Sequence, residues 1–261
     1  MQSHSSYIRI RNLDKTYASP RGPVQALSGI NLDIARHEFV SVLGPSGCGK
    51  STLLKCLAAL EPISSGTLEV AGKALSGPPD HMGIVFQRDV LLDWRSILDN
   101  VLITAEFRHL PRQEYEARAM QLLRLFGLED FAHRYPWELS GGMRQRASIC
   151  RALLVDPELL LMDEPFGALD AMTRDELNVE LQRIWTETRK TVLFITHSIA
   201  EAVYLSDRVV VMARNPGRIA EIIDIDLPRP RPLSLRETPE FGRYTAHIRN
   251  IFTNIGVIKH D

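Results

Sequence analysis

Apolar and polar residues alternate from Tyr7 to Leu13 and again from Ala26 to Ile34, the period of half-buried strands. A continuous apolar run, Phe39 to Leu43, has the length of a fully buried strand and leads straight into a glycine-rich stretch. Residues 51–60 then follow helical spacing until Pro62 stops them. Short strands are expected at 67–70 and 83–86. The period changes after Gln87. Residues 98–126 read as helix punctuated by Pro111, and a second helix is expected to start near Ser140 and run towards Leu154. Strand patterns return at 159–162, 191–196 and 208–212, with a helical stretch at 174–188. Strands alternating with helices predict an α/β core around a largely parallel sheet, with the helical middle inserted into it. From Leu227 the run LPRPRP reads as an extended connector on the surface, followed by a last helix over 239–252.

Composition adds bounds rather than identity. The chain has 261 residues, 44% of them hydrophobic and 24% charged, enough apolar material for a sizeable core. A formal net charge of −1 gives no global basic field of the kind nucleic-acid binders carry. Cys48, Cys56 and Cys150 are too few, and odd in number, for a disulfide framework, so a reducing compartment is expected. The first residues lack the apolar run of a signal peptide, and no stretch reaches the ~18 apolar residues that span a bilayer. Any membrane association is therefore expected to be peripheral.

The glycine-rich stretch carries the first chemistry. Gly44, Pro45, Ser46, Gly47, Cys48, Gly49, Lys50, Ser51 and Thr52 spell G-x-x-x-x-G-K-S between a strand and a helix. Glycines let several backbone N–H groups face one point, and the helix N-terminus adds positive potential there. Lys50 is expected to reach the β- and γ-phosphates of a nucleoside triphosphate, and the Ser51 hydroxyl to bind Mg²⁺. Cys48 lies inside this loop, and its alkylation is expected to be blocked by ATP. A second site ends the apolar run LLLMDEP, where two carboxylates at a strand end are costly unless they serve a metal or a proton. Asp163 suits the Mg²⁺ shell, and Glu164 suits a general base for an attacking water.

LSGGM, Leu139 to Met143, followed by RQRASICRAL, resembles the signature sequence of ATP-binding-cassette ATPases. Physically it is another anion site: Ser140 caps a helix, and Gly141 and Gly142 bring bare N–H groups to its start. In the order of that family, Tyr17 matches the aromatic that stacks on adenine, and Gln87 the glutamine that touches Mg²⁺ and the water. Asp170, in GALD, matches the loop that crosses to a second subunit, and His197 the histidine that contacts the γ-phosphate. The resemblance covers residues 5 to 225. It implies a P-loop NTPase with a RecA-like core, an antiparallel β subdomain and an inserted α-helical subdomain. The cassette is expected to span 1–226 with the insert at about 88–157, and residues 227–261 to form the connector and last helix. The resemblance also implies a head-to-tail dimer with ATP between Gly44–Thr52 of one copy and Ser140–Met143 of the other.

QRDVLLDWRSILDNV, YPWELSGGMRQR, FGALDAMTR, NPGRI and LPRPRP resemble the nitrate/sulfonate/taurine type of importer ATPase, and importers of pyrimidine precursors are similar. This implies membrane permease subunits contacted near Gln87–Asn100, indirectly a solute-binding protein, and a position at the cytoplasmic face of the membrane. Asp93 departs from the leucine-leucine-proline-tryptophan run usual in that group, which leaves the solute open. Trp94, Leu91 and Leu92 either line a groove for the permease or pack inside the insert. A cassette serving DNA repair or translation would carry long coiled-coil insertions or two cassettes, and neither is present in this sequence.

Overall fold

The computed structural model describes residues 6–167 and 169–257; Ala168 of the GALD loop, the first five residues and the last four lie outside the described residues. In chain order the strands are β1 (Ser6–Tyr17), β2 (Val24–Ala35), β3 (Phe39–Leu43), β4 (Ser65–Val70), β5 (Lys73–Ala74), β6 (Met82–Val85), β7 (Leu159–Asp163), β8 (Thr191–Thr196), β9 (Arg208–Ala213) and β10 (Arg218–Asp224). The helices are α1 (Lys50–Leu57), α2 (Ile97–Phe107), α3 (Arg112–Leu125), α4 (Gly141–Leu153), α5 (Ala171–Thr188), α6 (Ile199–Leu205) and α7 (Pro239–Asn254). The chain divides into two compact units, residues 1–80 with 181–261, and residues 81–180.

The first unit holds two sheets. The strands β2-β1-β4-β5 form an antiparallel sheet in that order, with Ile8, Ile10, Leu13, Ile30, Leu32 and Ile34 turned inward. This is the alternation expected of strands with one dry face. In the other sheet β3 lies parallel to both β8 and β9, and β10 pairs antiparallel with β9. Every residue of β3 and β8 is buried, which is why both read as unbroken apolar runs rather than alternating ones. The register pairs Leu43 with Thr196 and with nothing beyond, so the chain leaves β3 and β8 side by side at their carboxyl ends. Such strand ends are where open α/β sheets bind ligands.

The second unit contains the parallel pair β6–β7, in register Met82↔Leu159 to Val85↔Met162, with α2, α3 and α4 packed on one another. Gly83 permits the close approach of α4, because a β-carbon there would lie 2.5 Å from the Ala152 carbonyl oxygen. Pro111 separates α2 from α3 by standing at the N-cap of α3, as its missing N–H allows.

The last helix forms as expected, as α7, while residues 227–232 depart from expectation in part. Pro228, Pro230 and Pro232 are exposed, as in a surface connector, whereas Arg231 is 2% exposed and lies inside the first unit. Its guanidinium donates to the carbonyl oxygens of Val203 (2.9 Å), Tyr204 (3.0 Å), Ser206 (2.8 Å), Ile225 (3.3 Å) and Leu227 (3.1 Å from Nη2). Two of these carbonyls belong to the last turn of α6, the negative end of its dipole. Gln182 brackets the same residue from α5, its oxygen accepting from the Arg231 N–H at 2.7 Å and its amide donating to the Arg231 carbonyl at 2.7 Å. Burial, and next the Arg229 charge, lower the Arg231 guanidinium to about 10, so it stays protonated at neutral pH. Arg229 pairs with Asp207 and lies 4.2 Å over the Trp185 ring. Through Arg229 and Arg231 the connector ties α5, α6 and the segment after β10 together, and α7 packs against α6.

Candidate functional site

The loop Gly44–Gly49 joins β3 to α1. Gly47 and Gly49 have φ of 78° and 93°, a region costly for residues with a β-carbon, and Gly49 is the N-cap of α1. Lys50 is buried, and its ammonium donates to the carbonyl oxygens of Gly44 (2.9 Å) and Pro45 (3.2 Å). The cation is thereby held at the centre of the loop that it is expected to serve. Ser51 and Thr52, one residue further on, are partly exposed on the first turn of α1. Cys48 corrects the alkylation expectation. It is fully buried, and a β-carbon on Gly44 would sit 2.6 Å from its Sγ, so the thiol is shielded by protein before any nucleotide binds. Maleimide labelling therefore does not report on ATP. All three cysteines are buried thiols, and burial raises Cys56 to about 11 and Cys150 further still.

A support for this loop escaped sequence reasoning. A β-carbon on Gly217 would lie 2.3 Å from the Cys48 carbonyl oxygen and 2.6 Å from that of Ala26. Gly217 also donates its N–H to Ala26 and accepts from Ser28, stitching the loop to β2. Both clashes are with backbone, which cannot swing aside. Gly217→Ala is expected to cost about 1–3 kcal/mol of stability and to weaken nucleotide binding, read by thermal melts and by titration of a fluorescent ATP analogue.

Also in the first unit, Tyr17 ends β1, partly exposed, with the Lys15 ammonium 4.6 Å from its ring centroid. His197 follows β8 directly and is exposed. The Leu43↔Thr196 register makes it the neighbour, across the sheet, of the start of the phosphate loop.

In the second unit, β7 ends in buried Asp163, followed by Glu164 at a φ of 45°. A glutamate in the left-handed region carries strain of about 1–3 kcal/mol, a cost retained where a side chain must be aimed. Gln87, just past β6, donates to Glu164 Oε2 at 3.4 Å, bringing two of the expected residues together. The Gln87 loop is bound to the signature helix by three side chains of α4. Gln145 donates to the Phe86 carbonyl (3.3 Å), Arg144 pairs with Asp89 (2.8 Å), and Arg151 donates to the carbonyls of Asp89 (2.8 Å) and Val90 (2.6 Å).

Ser140 is the N-cap of α4, its hydroxyl accepting from the Met143 N–H at 3.3 Å, as expected of a helix cap, with Gly141 and Gly142 following it. Asp170 accepts from the Met172 and Thr173 N–H groups at 3.1 and 3.0 Å, and these bonds, Thr173 foremost, hold its carboxyl below the usual range. Trp94 is 74% exposed while Leu91 and Leu92 are half-buried, so Trp94 does not pack inside the insert. Its loop is nonetheless fixed: the buried Asn100 amide bonds both backbone groups of Leu92 and the carbonyls of Arg95 and Ser96.

Comparison with known proteins gives a consistent picture. The ABC transporter family model matches residues 27–167. An uncharacterized ABC transporter ATP-binding protein of Methanocaldococcus jannaschii is 48% identical over 244 residues, 94% of this chain and 90% of that protein. The taurine import ATP-binding protein TauB of Rhizobium johnstonii is 47% identical, covering 87% of this chain and 89% of its own length. The bicarbonate transport ATP-binding protein CmpD of Synechocystis is 44% identical over 88% of this chain and 83% of that one. Among solved structures, the dimeric structure of MJ0796, a bacterial ABC transporter cassette, superposes with a TM-score of 0.77 at 32% identity, over 85% of this chain and all of that one. A dimeric post-hydrolysis state of the same cassette, bound to ADP and Pi, superposes with a TM-score of 0.74 at 30% identity. With its phosphate loop, its paired carboxylates and its capped signature helix, the chain belongs to the ABC transporter family, as one of its ATP-binding proteins.

Proposed function

We propose that this ATPase powers import of a small solute, of the nitrate, sulfonate, taurine or related small-organic class, through a partner permease. The relatives named for taurine and bicarbonate transport support this class. The observation that carries the chemistry is the contact of Gln87 with Glu164 beside Asp163 at the end of β7. A glutamine and two carboxylates at one strand end are the groups needed to orient a water and hold a hard cation.

ATP is bound by Gly44–Thr52, with Tyr17 against the adenine and Lys50 on the phosphates. Glu164 orients or deprotonates the attacking water. Gln87 holds that water, and His197 meets the γ-phosphate. The donors assigned to Mg²⁺, the Ser51 hydroxyl, the Gln87 amide oxygen and the Asp163 carboxylate, are all oxygens, the set this hard cation takes together with phosphates. When bound, Mg²⁺ neutralises charge that develops on the transferring phosphoryl group.

Two copies associate head to tail, so that the second copy's Ser140, Gly141 and Gly142 complete each ATP site and Asp170 lies at the crossing. That the solved relatives are dimeric supports the association of two copies. Among the described residues no helix is long and apolar enough to cross a membrane. The chain acts peripherally, at the cytoplasmic face, with Trp94 and its neighbours in Gln87–Asn100 meeting the permease and the solute-binding protein engaged only through it.

The test separates fold from chemistry. Ser140→Ala removes an N-cap, which costs about 1 kcal/mol of stability. It also removes a donor aimed at the nucleotide, and turnover is expected to fall about 10-fold or more. A melting temperature lowered by a few degrees with undiminished ATPase would take Ser140 out of the nucleotide site.

A further inference from the structure

We propose that Glu201 is a positioning residue that holds His197 in its working orientation. The proposal rests on the reading of His197 as the γ-phosphate contact. Glu201 is 5% exposed and sits in the first turn of α6. A carboxylate buried there is costly unless it is answered by donors. Its Oε2 accepts from the Thr196 hydroxyl at 2.5 Å, and Thr196, the last residue of β8, is itself buried. The same hydroxyl oxygen accepts from the Ser198 N–H at 3.0 Å. The Ser198 hydroxyl in turn accepts from the Glu201 N–H at 3.3 Å.

These bonds form a closed ring over Thr196, Ser198 and Glu201, and the residue the ring encloses is His197. Its side chain is exposed. The ring fixes the backbone on both sides of it, and with that the direction in which the side chain leaves the chain. The Thr196 hydroxyl spends its one hydrogen on the Glu201 carboxylate and turns its lone pairs to the Ser198 N–H.

In an ordinary capping box a glutamate at this position reaches back to the cap residue's own N–H. Here the Thr196 hydroxyl is interposed, which extends the box backwards by two residues to include His197. Because Leu43 and Thr196 are register partners, the enclosed turn stands beside the mouth of the phosphate loop. A helix cap alone needs only Ser198. The relay through Thr196 is what a cap leaves unexplained.

Steady-state ATPase and thermal melts of Glu201→Ala, Glu201→Gln, Thr196→Val, His197→Ala and the Glu201→Ala/His197→Ala pair test this. Glu201→Ala is expected to lower kcat about 10- to 100-fold through misplacement of a reacting group. KM for ATP should change little beside that. Thr196→Val, which keeps shape and loses only the hydroxyl, should match it. Glu201→Gln, whose amide oxygen still accepts from Thr196, should recover most of the turnover. In the His197→Ala background Glu201→Ala should add no further loss of kcat. Wild-type kcat in Glu201→Ala or Thr196→Val beside an inactive His197→Ala, or full additivity in the double variant, would overturn the proposal and leave His197 in place. Full turnover in His197→Ala would remove His197 from the site, and the proposal with it.

Discussion

Glu164→Gln is expected to lower ATP hydrolysis by about 10²- to 10⁴-fold, the range that a positioned general base contributes. The substitution keeps size and one acceptor oxygen at the end of β7, which Gln87 can still meet, and removes charge and basicity. In the proposed site nucleotide binding rests on the loop before α1, in which Glu164 takes no part, so ATP affinity should persist. With binding intact and hydrolysis blocked, the ATP-bound dimer should accumulate. Gel filtration with and without ATP, alongside a phosphate-release assay, reads both effects. The strained φ of 45° at Glu164 makes a distinct stability prediction: relief is not expected from glutamine, which meets the same backbone cost, so the melting temperature should stay close to that of the parent. Unchanged turnover would remove Glu164 from its role.

The second large effect falls on stability. Arg231→Ala deletes a buried cation that answers five backbone carbonyls and leaves those oxygens without donors. Losses of this kind reach about 3–5 kcal/mol. For a chain of this size that corresponds to roughly 6–15 °C in melting temperature. Arg231→Lys keeps the charge but not the planar fork, and an ammonium has too few donors for the same oxygens, so it should restore only part of the loss. Thermal or urea melts on the full chain decide this. A surface connector would show neither effect, since substitutions of exposed residues usually stay within about 0.5 kcal/mol.

Much of the fold was legible because its central strands are uniformly buried. Phe39–Leu43 and Thr191–Thr196 appear in the sequence with the bounds the structure has, since both faces are covered and the apolar run is unbroken. Ser140 marked a helix start for the reason that serine usually does, and Pro111, read as a punctuation within 98–126, stands at the N-cap of α3. The short α6 was missed. Its seven residues give too little periodicity, although Ser198 and Glu201 stand at the spacing of a capping box and were a readable signal. The strand β10 was also missed, its RIAEIID alternation lying after a turn-like NPG.

The inward side chains of the connector were missed for a different reason. A run of alternating proline and arginine has the composition of an exposed strap. The carbonyls that draw Arg231 inward come from residues 203, 204, 206, 225 and 227, and only folding gathers them. The same holds at the site. The phosphate loop, Asp163, Glu164 and the signature were visible as motifs. The burial of Cys48 and the backbone approach that requires Gly217 are contacts between distant segments, which no local pattern encodes, whereas the ring around His197 is local and showed in the sequence only as the Ser198–Glu201 spacing.

In the proposed assembly each ATP site is built from two copies of this chain, and complementation between two inactive variants is its test. Lys50→Ala breaks the phosphate loop, and Ser140→Arg blocks the signature cap at an exposed position. Each variant alone should lack ATPase activity. If the loop of one copy works with the signature of another, a mixed dimer retains one site with both halves intact, and mixing the two inactive proteins should restore hydrolysis. A mixture no more active than either variant alone would contradict the account.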